Sequence, residues 1–315
     1  MKNKIYILAA LLLLTACHRV PDDLEPKINY AVQDRYLKNL PSPFKPLTEP
    51  EKEQLWGREY QIGIAFAHQL DLYQAMTAFK RAEILAPAEE NERKLEIEYD
   101  ILLCYYFGKK YSDAIETFEN SNLRLVDQSF PALEDLLVIM YDCYLQMNED
   151  QKAQGFLELI KQLYPETGTK LTESTILVKG DIPAIEAYSQ SHPQEKYLDD
   201  LLHNYTQQKK SIGTTQALNA VLPGAGYFYV GQKQSGVTAL LLNGLFIAAS
   251  YHFFHRGDIA AGVIFTSFEA GWYFGGIYGG GLEAKYYNER LYERTVTPVM
   301  NQHQLFPVLM LKYAF

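Results

Sequence analysis

Only three cysteines occur in the 315 residues, and none stands in a C-x-x-C pair. The seven histidines form no H-E-x-x-H. The common spacings for a bound metal are therefore missing. So are G-x-S-x-G, a P-loop and a dinucleotide fingerprint, which removes the usual signatures of serine hydrolases and nucleotide-dependent enzymes. Gly275–Gly281 is glycine-rich, but it lies in an apolar stretch and would make a poor phosphate cradle. Positive charge is also scarce: 29 Lys+Arg face 38 Asp+Glu, a net of −9. With no basic surplus to release counterions, nucleic acid is a poor partner. The expectation is a non-enzyme with no cofactor, no metal and no nucleic-acid partner.

What the chain has is aromatic and apolar. Its 24 Tyr and 16 Phe argue against wholesale disorder. Composition changes near residue 210. Residues 17–210 carry 21 Lys+Arg and 33 Asp+Glu, a net of −12, whereas residues 211–315 carry 6 and 5. The last third also holds 14 of the 20 glycines. Two different surroundings are implied for the two parts.

Residues 1–17 read MKNKIYILAALLLLTAC. Lys2 and Lys4 precede an apolar run of ten, Ile5 to Leu14, too short to span a bilayer comfortably. Leu14-Thr15-Ala16-Cys17 follows and resembles the lipobox of bacterial lipoproteins. The resemblance implies a signal peptide over 1–16, cleavage before Cys17, and lipid (palmitate among it) on Cys17. It places the chain in the bacterial cell envelope, facing the periplasm, with inner or outer membrane left open. Residues 17–50 contain six prolines and no clear period, and read as a tether.

Ala75, Ala114 and Ala153 are spaced 39 residues apart, each four residues before a large apolar side chain: Phe79, Phe118 and Leu157. Gly63, Phe66, Ala75, Phe79, Ala82 and Pro87 resemble one unit of the tetratricopeptide repeat. Looser units follow at Leu102–Ser121 and Tyr141–Pro165, and Ala184 with Tyr188 suggests a degenerate fourth. The resemblance implies helical hairpins over 51–210, a concave face lined by the first helices, and a protein or peptide partner there. Tyr105 and Tyr144 are the groove candidates, with core packing as the alternative for each. Cys104 and Cys143, also 39 apart, read as buried thiols or, less readily, as a disulfide.

Leu222-Pro223-Gly224-Ala225-Gly226-Tyr227-Phe228-Tyr229-Val230-Gly231 resembles the PGxGxxYxG motif of TM2-type two-helix membrane domains. The residues carrying the likeness are Pro223, Gly224, Gly226, Tyr229 and Gly231. Ser235–Phe254 is 20 residues without charge, and Ile259–Leu282 is 24 residues with only Glu269 charged. A hairpin module over 211–294 is expected. Gly271/Gly275, Gly275/Gly279 and Gly276/Gly280 are GxxxG pairs, which allow helices, or copies of the chain, to approach closely in lipid. Asn243 and Glu269 lie 13 residues either side of Arg256 and fall at one depth, so a polar pair across the hairpin is expected. It is either a register clamp or an ion or proton site. Leu309, Leu311, Tyr313 and Phe315 alternate, which predicts a short β-segment within a tail of 295–315.

The fold expected is mostly α: a helical-repeat array, a glycine-rich transmembrane-type hairpin and a short C-terminal β-segment. The function expected is a membrane-tethered protein-interaction scaffold. The alternative is a transport or channel assembly of oligomerised hairpins with Asn243 and Glu269 at the helix interface.

Overall fold

The computed structural model describes residues 20–28, 34–87 and 91–315. Cys17 and the leader lie outside the described residues. The described chain is mostly helical and contains no strand. It divides into two compact units, Asn29–Thr175 with Val299–Phe315, and Met1–Ile28 with Ile176–Pro298. The division falls before residue 210, the boundary expected from composition.

The first unit is an array of helical hairpins. Two short helices, α1 (Asp34–Lys38) and α2 (Glu49–Glu53), lead into α3 (Leu55–Ala67) and α4 (Leu72–Leu85). Next come α5 (Asn91–Phe107) and α6 (Tyr111–Asn120), then α7 (Leu133–Gln146) and α8 (Asp150–Leu163), then α9 (Pro165–Lys179) up to Thr175. The 39-residue period is written into the backbone. Leu70, Lys109 and Asn148 join the helices of the three hairpins, and each has a positive φ, of 61, 56 and 59°. Non-glycine residues rarely adopt that conformation. At each of these turns an amide reaches back five residues: Asp71 to the Phe66 carbonyl, Lys110 to Tyr105 and Glu149 to Tyr144.

Ala75, Ala114 and Ala153 are buried. A β-carbon on Gly63 would lie 2.5 Å from the Phe79 ring, so glycine there lets α3 and α4 close around the phenyl group. Cys104 and Cys143 are buried free thiols, pushed up in pKa by burial.

The second unit contains α10 (Ile182–Ser191), α11 (Lys196–Gln208), α12 (Ile212–Val221), α13 (Ala225–Tyr229), α14 (Lys233–Arg256) and α15 (Ile259–Gln302) up to Pro298. Asp181 and Ser211 cap α10 and α12 by accepting the amides of Ala184 and Thr214. Leu198, Leu201, Leu202 and Tyr205 form the buried stripe of α11. Tyr205 packs edge-on against Tyr292, whose hydroxyl donates to the Leu177 carbonyl at 2.7 Å. Of the expected tether, residues 20–28 lie along α15: Lys285 pairs with Glu25, and the Glu25 and Lys27 amides donate to Glu289 and Glu293. Val20 is buried with Ile212, Val230 and Ala284.

Two expectations about the end of the chain are corrected. The predicted second hairpin helix does not stop near Leu282, because helix-forming residues from Glu283 to Thr295 continue it to Gln302. The predicted C-terminal β-segment is absent. Pro307 starts a four-residue helix, α16 (Pro307–Met310), and Leu311–Phe315 belongs to no helix and pairs with no strand. It lies over the array with Leu311, Ala314 and Phe315 buried, Tyr313 half-buried and Lys312 exposed.

Candidate functional site

The glycine motif builds the turn from α12 to α14. Gly224 has φ +96°, and a β-carbon there would sit 2.3 Å from the Gly236 carbonyl oxygen. Gly226 is buried, and a β-carbon on it would meet the Thr215 carbonyl at 2.2 Å. Gly231 also has a positive φ, of 83°, but faces open space. Pro223 immediately precedes the left-handed Gly224. Tyr229 packs on the Val20–Ile212–Val230–Ala284 cluster, with the Lys210 ammonium 4.8 Å from its ring centre.

Asn219 belongs to no motif in the sequence, yet its side chain ties this turn to α15. Its carbonyl accepts from the Gly226 amide at 2.7 Å, and its amide donates to the Gly276 carbonyl at 2.8 Å. Asn288 holds the α11–α12 link in the same way, accepting from the Lys210 amide and donating to the Lys210 carbonyl. The available signal for Asn219 was one amide inside the apolar run ALNAVL.

α14 and α15 form a helical hairpin around Gly257, which has φ +82°. Phe246 meets Phe265 and Phe268, and Phe253 meets Phe265. α14 has 24 residues, a length of about 36 Å against a hydrocarbon core of about 30 Å. It is, among the described residues, the one helix long and apolar enough to cross a membrane. Only Gly236, Ala239 and Asn243 of it are buried. Leu240, Leu241, Leu245, Ile247 and Tyr251 stand exposed, as do Val263, Ile264, Phe268 and Trp272 of α15.

The expected Asn243–Glu269 hydrogen bond does not form. The Asn243 amide donates instead to the Ala239 carbonyl of its own helix. The Asn243 carbonyl oxygen and Glu269 Oε2 are both buried without hydrogen-bond partners. Of the GxxxG glycines, Gly279 and Gly280 pack against Tyr227 and Asn219. At Gly271, Gly275 and Gly276, by contrast, an added β-carbon would meet nothing within 4 Å. These open glycines border a cleft of about 650 Å³, lined also by Tyr227, Thr238, Trp272 and Glu283.

On the array, Tyr144 is in the core and Tyr105 is half-buried at the surface. Tyr105 is half-buried beneath Lys80 of α4, whose ammonium donates to its hydroxyl at 2.7 Å. Tyr144 is buried, stacks on Phe156 and donates to Glu119.

The first helices instead carry buried acids. Tyr60 donates to Glu96 and Asp100, and Tyr106 donates to Asp142. Asp135 Oδ2 accepts the amides of Lys312 and Tyr313, at 2.9 and 2.8 Å. Burial pushes the Asp135 carboxyl up to about 7, while those two amides pull against the rise. Residues 305–315 thus cover this face. Phe315 lies against Phe79 and Phe107, the Ala314 amide donates to the Pro41 carbonyl at 3.0 Å, and Lys312 pairs with Glu134. Sequence reasoning missed these acids because each reads singly as a solvated helix residue.

Among the described residues no cluster of three or more His, Cys, Asp or Glu could hold a metal ion. No family model, no curated protein and no solved structure matches the chain.

Proposed function

We propose that the protein is a non-catalytic lipoprotein of the bacterial cell envelope, a membrane-tethered scaffold. Its hairpin sits in the bilayer and its tetratricopeptide-like array holds a protein partner on the periplasmic side. The observation that carries the reading is the band of exposed Leu, Ile, Val, Phe and Trp on α14 and α15. A patch of that size in water invites aggregation, and in lipid it is the ordinary surface.

The place of Val20 supports a second anchor. It is buried beside Ile212 and Ala284 at the base of the hairpin. Cys17 is three residues before it, about 11 Å of extended chain at most. Lipid on Cys17 and the hairpin therefore enter one membrane at one place. Two such signals give stable attachment where a single acyl chain is marginal. The open Gly271 and Gly275 offer a surface for a second copy.

The unpaired Asn243 and Glu269 oxygens favour one further reading, a transport or channel assembly in which an ion or a neighbouring hairpin meets them. Glu269→Gln separates the two. A scaffold keeps its membrane position and its co-isolated partner. A transport component keeps its assembly and loses flux.

A further inference from the structure

We propose that the array face covered by residues 305–315 is a binding site for an extended basic and aromatic peptide segment of a protein partner, and that this stretch of the chain is its internal occupant, displaced when the partner binds. The inference rests on the scaffold reading and names what the scaffold holds.

Residues 311–315 are held as a bound peptide is held. They belong to no helix and pair with no strand. Their backbone amides go to a side chain, Asp135, and to the lead-in carbonyl of Pro41. One aromatic anchor, Phe315, is buried between Phe79 and Phe107. One cation, Lys312, pairs with Glu134. The Tyr36 hydroxyl donates to the Leu309 carbonyl at 2.9 Å. This is recognition of main-chain amides together with one aromatic anchor and one ion pair, as in peptide binding.

The face offers more than this occupant uses. The Tyr99 hydroxyl and Asp100 Oδ1 belong to two adjacent, fully buried residues, and both lack hydrogen-bond partners. Tyr99 lies within electrostatic range of Asp135 and of Tyr313 itself. Buried polar atoms are normally paired, and unpaired ones weaken the complex that contains them. The unmet groups are one hydroxyl donor and one carboxylate oxygen. Glu134 and Asp135 are the acids that meet this segment, the first through Lys312 and the second through two backbone amides. A segment that brings an acceptor to the Tyr99 hydroxyl fits better than 305–315 does.

The test uses the full chain and a fluorescent synthetic peptide of residues 305–315. Tyr313→Ala/Phe315→Ala weakens the internal occupant, and the peptide is expected to bind this variant at least tenfold more tightly than wild type. No binding to a variant that keeps its helical circular dichroism overturns the proposal. Should the variant fail to fold, hydrogen exchange on wild type decides. Exchange of the Lys312 and Tyr313 amides at least tenfold faster than the α5 and α7 amides supports displacement. Exchange of all of them at one rate identifies a permanent seal and overturns it. A partner that stays on the wild-type array in excess peptide also overturns displacement while leaving the scaffold reading intact.

Discussion

Asn219 and Gly226 are joined by a 2.7 Å hydrogen bond in which the glycine amide donates to the side-chain carbonyl. The same side chain donates to the Gly276 carbonyl, so one buried amide fixes the turn of the glycine motif against α15. Asn219→Ala leaves both backbone groups without that partner. The Gly276 carbonyl keeps its place inside α15, so the Gly226 amide is the group left unsatisfied, and a loss of about 1–3 kcal/mol is expected. Thermal unfolding in detergent micelles measures it. Asn219→Asp keeps an acceptor for Gly226 and should fall between wild type and the alanine variant.

Three glycines should respond differently to alanine. Gly224→Ala meets both a left-handed backbone and the Gly236 carbonyl, and should lower stability by more than about 2 kcal/mol, above the left-handed penalty of about 1–2 kcal/mol alone. Gly231→Ala meets only the backbone penalty, because its surroundings are open. Gly275→Ala meets neither and should leave the isolated chain unchanged or slightly more stable through better helix propensity. If copies associate through this face, Gly275→Ala reduces cross-linked dimer without lowering the melting temperature.

The array should lose stability as pH rises through the acid-to-neutral range. The folded Asp135 carboxyl titrates at about 7, above its ordinary 3.8. Between those values the folded state binds more protons than the unfolded state, so unfolding free energy falls with rising pH. The slope reaches about 1.4 kcal/mol per pH unit for one such group. Buried Glu96, Asp100 and Asp142 are raised by burial and act in the same direction. Asp135→Asn can still accept both amides and should flatten the curve of melting temperature between about pH 5 and 7. An unchanged slope in the variant refutes the role assigned to Asp135.

Tyr60→Phe should destabilise the array although the ring is kept. Its hydroxyl serves two buried carboxylates, Glu96 and Asp100. Losing it strands a buried charge or forces its protonation, and a cost of about 1–3 kcal/mol is expected in denaturant unfolding.

The parts legible in the sequence were those whose physics is local. Ala75, Ala114 and Ala153 mark where helices touch, and Gly224 marks a backbone that other residues strain to adopt. The apolar lengths on either side of Arg256 announced the hairpin. What was not legible depends on distant chain. Nothing near Asn219 points to Gly276. Asp135 reads as a surface acid until Lys312 and Tyr313 arrive from 177 and 178 residues away. The alternation at Leu309–Phe315 misled, because Leu309 falls in a helical turn and the amides of Lys312 and Tyr313 meet a carboxylate instead of a strand. Counting residues from Arg256 suggested a pair between Asn243 and Glu269, and residue counting alone does not aim two oxygens at each other.

The central claim is that the α14–α15 hairpin resides in a bilayer. It is tested most directly by fractionating wild type beside Cys17→Ser, each pellet extracted with alkaline carbonate. The account predicts that Cys17→Ser stays in the extracted membrane pellet, because the exposed apolar band holds it there without lipid on Cys17. Release of Cys17→Ser into the soluble fraction, folded and monodisperse, contradicts it, since the hairpin would then be covered by protein and lipid would be the sole anchor.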